Sequence, residues 1–173
     1  LQVEAHTGRP APTGSLHNTP LTDFFELTWL GRKLANPKLL NRFRLKTKNR
    51  RQTWPAEVIC DAALMARTQI LRDLGGYDNQ LKLYYTENDL CCRIQQAGFS
   101  TVHFGEAMVK HTVSASTNKQ AWQTISAIYA ADAWHYFRRW HGLVPATLLY
   151  FSLKLNNLAI DLVKDKWPFV VIF

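Results

Sequence analysis

Cysteine is scarce in this chain: Cys60, Cys91 and Cys92 are the only three in 173 residues, with neither a C-x-x-C pair nor a Cys/His spacing among them. Neither a disulfide framework nor a structural zinc site is implied. Acid is short as well, 13 Asp and Glu against 21 Lys and Arg, and the net charge of +8 favours anionic partners such as nucleic acid, phospholipid headgroups or the phosphates of a nucleotide. No Asp-X-Asp occurs anywhere. No basic segment followed by an apolar core opens the chain, so no signal peptide is expected and a reduced, cytoplasmic setting fits best. Long uninterrupted apolar runs are missing too. Lys154, Asn156, Asn157 and Asp161 break the stretch Ala146 to Val163, and the tail Trp167 to Phe173 is too short to span a bilayer.

What is present is ample apolar material, 47% hydrophobic and 12% aromatic, enough for the packed core of one domain. Residues 1–20, broken by Pro10, Pro12, Gly14 and Pro20, read as an extended segment. Leu21 to Ala35 reads as a helix capped by Thr22 or Asp23. The basic run Arg42 to Arg51, with no apolar period to anchor it, is expected to be a mobile loop. Val58 to Met65, interrupted only by Asp61, is expected to be a strand buried on both faces. Thr68 should cap a short helix ended at Gly75-Gly76, and Phe99–Phe104 and Ala107–Val113 should be short strands. In the second of these, alternation puts Val109, His111 and Val113 on one face. A stripe from Trp122 through Ile125, Tyr129, Tyr136 and Phe137 to Trp140 follows at spacings of three and four, then a break at Gly142 and Pro145 and a second amphipathic helix over Ala146 to Val163.

Chemistry concentrates at Thr86-Glu87-Asn88-Asp89. Thr-X-X-Asp before Leu90 and Ile94 is a capping-box pattern, with Arg93 placed as the i,i+4 partner of Asp89. Acids in that position also suit proton transfer. Glu87 and Asp89 are two apart and diverge by roughly 200 degrees on a helix, so they cannot serve one hydroxyl together. His111 reads either as a core residue on an apolar face or as a metal ligand. Asp61 must be satisfied if buried, and Asp78 sits in a glycine turn open to close backbone approach. Cys91 and Cys92 read as packing residues with no base beside them. Only Phe43 interleaves the basic run, which argues against nucleic acid and leaves an anionic membrane surface as the better partner.

The order of these pieces resembles the C-terminal half of the catalytic domain of family 2 glycosyltransferases, rhamnosyltransferase-like members in particular. The residues that carry the resemblance are Asp61-Ala62-Ala63-Leu64-Met65, Gly75-Gly76-Tyr77-Asp78, Thr86-Glu87-Asn88-Asp89-Leu90-Cys91-Cys92-Arg93, and His111 followed by Ser114 and Ser116. Thr86 stands where the family has a first acid, and Asp61 where it has a strand glycine. The resemblance implies an α/β fold, the acceptor-side half of a GT-A nucleotide-diphospho-sugar transferase over residues 1–120, followed by amphipathic helices over 121–173. It implies Glu87 as catalytic base with Asp89 beside it, Asp61, Gly76, Asp78 and Arg93 as substrate-binding residues, and His111 as one ligand of a divalent metal, Mg²⁺ or Mn²⁺, whose other ligands lie outside this chain. The partners implied are a nucleotide-sugar donor, a saccharide or lipid-linked acceptor, and the inner face of the cell membrane. A non-catalytic module that retains the fold is the alternative.

Overall fold

The computed structural model describes residues 2–5, 7–11, 13–112 and 121–166, so the expected positions Val113, Ser114 and Ser116 lie outside the described residues. The chain is mixed helix and strand with two long C-terminal helices. Strands β1 (Gln2–Glu4), β2 (Gly14–Ser15), β3 (Trp54–Pro55), β4 (Val58–Ile59), β5 (Val102–His103) and β6 (Val109–His111) are all short. They pair two by two: β1 with β6 in parallel, β2 with β4 and β3 with β5 antiparallel. Helices α1 (Pro20–Leu27), α2 (Trp29–Leu34), α3 (Pro37–Phe43), α4 (Thr68–Asp73), α5 (Thr86–Gln96), α6 (Trp122–His141) and α7 (Leu143–Lys166) supply most of the mass.

The helix expected over 21–35 is two helices. Thr28 is the C-cap of α1 and the N-cap of α2, and its hydroxyl accepts the Gly31 amide at 2.9 Å. Gly31 passes so close to α1 that a Cβ there would stand 2.0 Å from the Phe24 carbonyl oxygen. Thr19 caps α1 in a reciprocal box with Thr22, which leaves Asp23 to turn inward. Two of the six cations in the basic run are tied down, and Arg42, Lys46, Lys48 and Arg51 are exposed. The Arg44 guanidinium grips the Glu26 carboxylate with two prongs, and Arg50 donates to the carbonyls of Arg44 and Leu45 at 3.0 and 3.2 Å.

The buried strand expected from Val58 to Met65 is corrected: only Val58–Ile59 is strand, Asp61–Ala63 is a single 3₁₀ turn, and Met65 is 98% exposed. The reason is Asp61, whose carboxylate stays at the surface and accepts the Thr86 hydroxyl at 3.1 Å rather than entering a sheet. The strands near Val102 and Val109 are present but shorter than expected. His103, not singled out by its sequence, is buried and bonded at both ring nitrogens, to Thr13 Oγ1 and to the Arg50 carbonyl, each at 2.9 Å, and it stacks on Trp54.

One core crosses the boundary expected near residue 120. Leu81, Tyr85 and Cys92 pack with Ala133, Tyr136 and Phe137 of α6 and with Ala146, Leu149 and Leu153 of α7. The stripe of α6 from Tyr129 to Trp140 therefore packs into the protein's own core, while Trp122 at its start is 40% exposed. Pro145 does not break α7, because a proline in the first turn removes an amide that has no helical partner. The stretch Leu143–Leu162, with mean hydropathy 1.3 and 17% buried, is long and apolar enough by length and composition to cross a membrane, beyond what its interruptions suggest.

The loop before α5 is held from α6. Asp132, 1% exposed, accepts the amides of Lys82, Leu83 and Tyr84 at 3.1, 2.9 and 2.9 Å. Three charge-assisted bonds to consecutive amides leave no slack in that turn. Asp132→Ala should therefore destabilise the chain by about 3–5 kcal/mol, as removal of one side of a buried charged network does. Chemical denaturation monitored by circular dichroism measures it, and a loss under 1 kcal/mol would mean that the loop is held by something else.

Candidate functional site

Tyr85 is the hinge on which the acidic cluster turns. Its φ of 60° is left-handed, uncommon for a bulky residue, and it is tolerated because Asp132 fixes the three preceding amides and the ring stacks on Tyr136 with centroids 5.0 Å apart. Tyr85, rather than Thr86, is thus the N-cap of α5, and no side chain caps the helix. The expected capping box is absent: the Thr86 hydroxyl lies 3.1 Å from Asp61 and 3.2 Å from Glu87 Oε2, and so bridges the two acids. That bridge joins two of the residues expected at the site.

Glu87 lines a polar cavity of about 210 Å³ together with Asn18, Arg44, Tyr84, Asn88 and Tyr129. The side chain is half-buried, and burial, reinforced by the nearby Asp61 charge, raises its carboxyl above the ordinary glutamate range. A carboxylate so placed can accept a proton from a hydroxyl entering the cavity. Arg44, held by Glu26 at the wall, brings positive charge to the same space.

Asp89 is used differently. It is 1% exposed, accepts Arg93 Nε at 2.7 Å and Trp140 Nε1 at 3.0 Å, and pairs with Arg139 at 3.3 Å. Arg93 spends its remaining donors on the carbonyls of Leu74 and Gly76, at 2.8 and 2.7 Å, closing the turn in which Gly75 and Gly76 hold φ of 74° and 70°. Asp78 accepts the Gln80 amide and contacts His135 and Arg139; burial opposes its charge, but these partners win and hold it below the usual carboxylate range. Asp89, Arg93, Gly76 and Asp78 form one bonded unit behind α5, and none of them lines the Glu87 cavity. Asp89, expected beside the base, and Gly76, Asp78 and Arg93, expected at the substrate, are held in this unit, where the polar atoms of Asp89 and Arg93 are engaged within the protein.

His111 sits on β6 in register with Glu4, away from the cavity lining. Among the described residues no group of three His, Cys, Asp or Glu side chains is arranged to hold a metal ion. The resemblance implies a divalent metal for which this chain would offer His111 alone, the other ligands lying outside it. Cys92 does have a base near it, contrary to expectation: His17 Nδ1 lies 3.3 Å from its sulfur. Burial nonetheless pushes the Cys92 thiol up to about 11, so it is not a nucleophile at neutral pH.

Asp23 is the site residue that sequence reasoning misplaced as a cap. It is 1% exposed beneath the cavity, where it accepts from the Tyr85 hydroxyl and, at 2.7 Å, from Asn18 Nδ2; Tyr129, which lines the cavity, touches Tyr85 hydroxyl to hydroxyl at 2.5 Å. Burial raises its carboxyl from 3.8 to about 6 and lifts both tyrosines well above their ordinary range. Its tyrosine partners lie 62 and 106 residues away along the chain, and only Asn18, five residues before it, is local.

Comparison with models of protein families, with curated proteins and with solved structures gives no match to this chain.

The folded state binds the Asp23 proton more tightly than the unfolded state does. Its contribution is therefore greatest below pH 4 and is lost as pH rises through about 6. Asp23→Asn, which cannot titrate, should gain on the wild type by roughly 3 kcal/mol between pH 4 and 7, at 1.36 kcal/mol per pKa unit. Thermal melts at closely spaced pH values measure the gap, and parallel curves for the two proteins would refute the assignment.

Proposed function

We propose that this chain is the acceptor-side half of an inverting glycosyltransferase with a GT-A fold, resembling family 2 rhamnosyltransferases, in which Glu87 takes the proton from the acceptor hydroxyl. The observation that carries the reading is Glu87 itself. It stands half-buried at the first turn of α5, its carboxyl raised by burial, facing a polar cavity lined by tyrosines, asparagines and Arg44, while Asp89 two residues on is fully engaged. Hydroxyl-rich walls suit a saccharide, and the base must meet the hydroxyl on the face opposite the departing nucleotide. Thr86 and Asp61 flank the base as its nearest polar neighbours.

A second feature favours the half-enzyme reading. An apolar groove of about 790 Å³ runs past Leu64, Met65, Phe99, Val102, Phe104 and Val109, several of them well exposed. A nucleotide-binding half would cover this surface and bring the phosphate-binding and metal-binding groups, Mg²⁺ or Mn²⁺ included, that the described residues do not supply. The donor is then a nucleotide-sugar, and the acceptor a saccharide, free or lipid-linked.

For the membrane contact, the surface of α2 and α3, which ends in the basic run at Arg42, is the better candidate. Trp29, Leu30, Leu34 and Leu39 are exposed there beside the exposed Arg32, Lys33, Lys38 and Arg42, an apolar face rimmed by cations. That composition suits shallow binding to an anionic bilayer at the cytoplasmic face, close to a lipid-linked acceptor.

Two measurements test these statements. In transfer assays on protein that carries this chain together with a donor-binding half, Glu87→Gln should lower turnover by about 10²- to 10⁴-fold with folding intact. The wild-type rate should rise with pH through a value above that of an ordinary glutamate, because only the deprotonated base acts, and this limb should vanish in the variant. A near-normal rate for Glu87→Gln would remove Glu87 from the mechanism. Separately, sedimentation with anionic vesicles should detect binding that weakens with salt and falls about tenfold or more in Leu30→Ser/Leu34→Ser. Binding indifferent to salt and to this substitution would place the lipid contact elsewhere or nowhere.

A further inference from the structure

Helix α7 packs one face inward through Ala146, Leu149 and Leu153, against α1 and α6. The other face is apolar and uncovered. Val144, Leu148, Phe151, Leu155, Leu158 and Leu162 are 69, 66, 59, 67, 57 and 54% exposed. They follow one another at alternating spacings of four and three, which is the 3.5-residue repeat of a seam built to meet another helix. A lipid-facing stripe of this length carries the same spacing, so the choice between the two rests on its flanks.

The flanks of the seam narrow the choice of partner. Lys154 and Asp161 occupy equivalent positions in successive heptads along one side, the positions whose charges set orientation between paired helices. One cation and one anion give no net attraction for an anionic bilayer, unlike the basic rim of α2 and α3. A membrane span is a poorer fit still, since Lys154, Asn156, Asn157 and Asp161 would enter hydrocarbon along with the polar helix α6 packed beside them. A second copy of the same helix offers the complement. In an antiparallel pair with its twofold axis between Asn156 and Asn157, Phe151 opposes Leu162, Leu155 opposes Leu158, and each Lys154 reaches the other copy's Asp161. Lys154 is exposed and Asp161 half-buried at the edge of the stripe.

We infer that the α7 stripe is a self-association surface, and that two copies of this chain join along it as an antiparallel helix pair secured by reciprocal Lys154–Asp161 contacts. The inference does not rest on the glycosyl-transfer reading, because neither the Glu87 cavity nor the α2–α3 surface takes part in the pairing. It adds a twofold axis that fixes how the two cavities are disposed in the assembly.

Analytical ultracentrifugation of the full chain over a hundredfold range of concentration, at low and moderate salt, tests it. The wild type should sediment as a dimer, and Leu155→Glu/Leu158→Glu as a monomer with unchanged circular dichroism. Because the leucine variant could misfold, charge reversal at the exposed Lys154 and the half-buried Asp161 provides an independent reading. Lys154→Asp alone and Asp161→Lys alone should each weaken the dimer about tenfold or more, and the two together should restore it. A monomer at all concentrations overturns the proposal, as does a dimer unaffected by the Leu155 and Leu158 substitutions. A dimer that ignores the single reversals overturns the antiparallel pairing. If the leucine variant loses vesicle binding while the wild type is monomeric, the stripe belongs to lipid and the proposal fails.

Discussion

Everything at the candidate site depends on one buried carboxylate that does not belong to it. Asp132 takes the three amides of Lys82, Leu83 and Tyr84, and so decides where the chain stands when it enters α5. Without that grip the left-handed Tyr85 would relax towards an ordinary conformation. Glu87 would then rotate with the first turn of its helix, and the cavity wall made by Tyr84 and Tyr85 would move with it. The arrangement couples the long C-terminal helix to the chemistry, since the residue that positions the acidic cluster lies on α6, in the same core as Tyr136 and Phe137. A helix that looks like an appendage in the sequence is the frame of the site.

Four carboxylates lie on or near the start of α5, and their surroundings give each a separate task. Asp89 is neutralised by two arginines and an indole, which makes it a structural pin between α5, the glycine turn and α6. Asp23 is buried among tyrosines and asparagine, with no cation bonded to it among the described residues, so burial lets it keep its proton up to about pH 6. Asp61 is exposed and reaches the site only through the Thr86 hydroxyl. Of these four, Glu87 combines partial burial with a place in the lining of an open cavity, its side-chain partner among the described residues being the Thr86 hydroxyl. That combination, rather than its place in a motif, makes it suited to moving a proton.

The features legible in the sequence were the local and periodic ones. The Gly75-Gly76 helix stop, the Asp89–Arg93 pair one turn apart and the two long helices each depend on residues within a few positions of one another. Features built from distant partners were not legible. An apolar run such as Val58 to Met65 looks the same whether it is a buried strand or a strand, a turn and an exposed loop, and only the tie from Asp61 to Thr86 decides. The capping box failed for a similar reason: Thr-X-X-Asp has the right spacing, but Asp132 set the helix start one residue earlier than the pattern places it. Asp23, Asp132 and His103 carry no local mark at all. A buried polar residue declares itself only through the groups that satisfy it.

The uncovered apolar surfaces are not equivalent, and their charges separate them. The groove beside Phe99 and Phe104 is lined by few ionisable groups, Arg67 and His103 among them, and is concave, which suits the edge of another folded unit. The α2–α3 surface consists of short helices with exposed leucine and tryptophan beside four cations, which suits an anionic interface. The α7 stripe is long and periodic, with balanced charge, which suits a helix. Hydrophobicity alone would treat the three as one sticky patch. Shape, period and the sign of the neighbouring charges assign each a different class of partner, and for a chain this basic the place where cation and anion balance is the more informative signal.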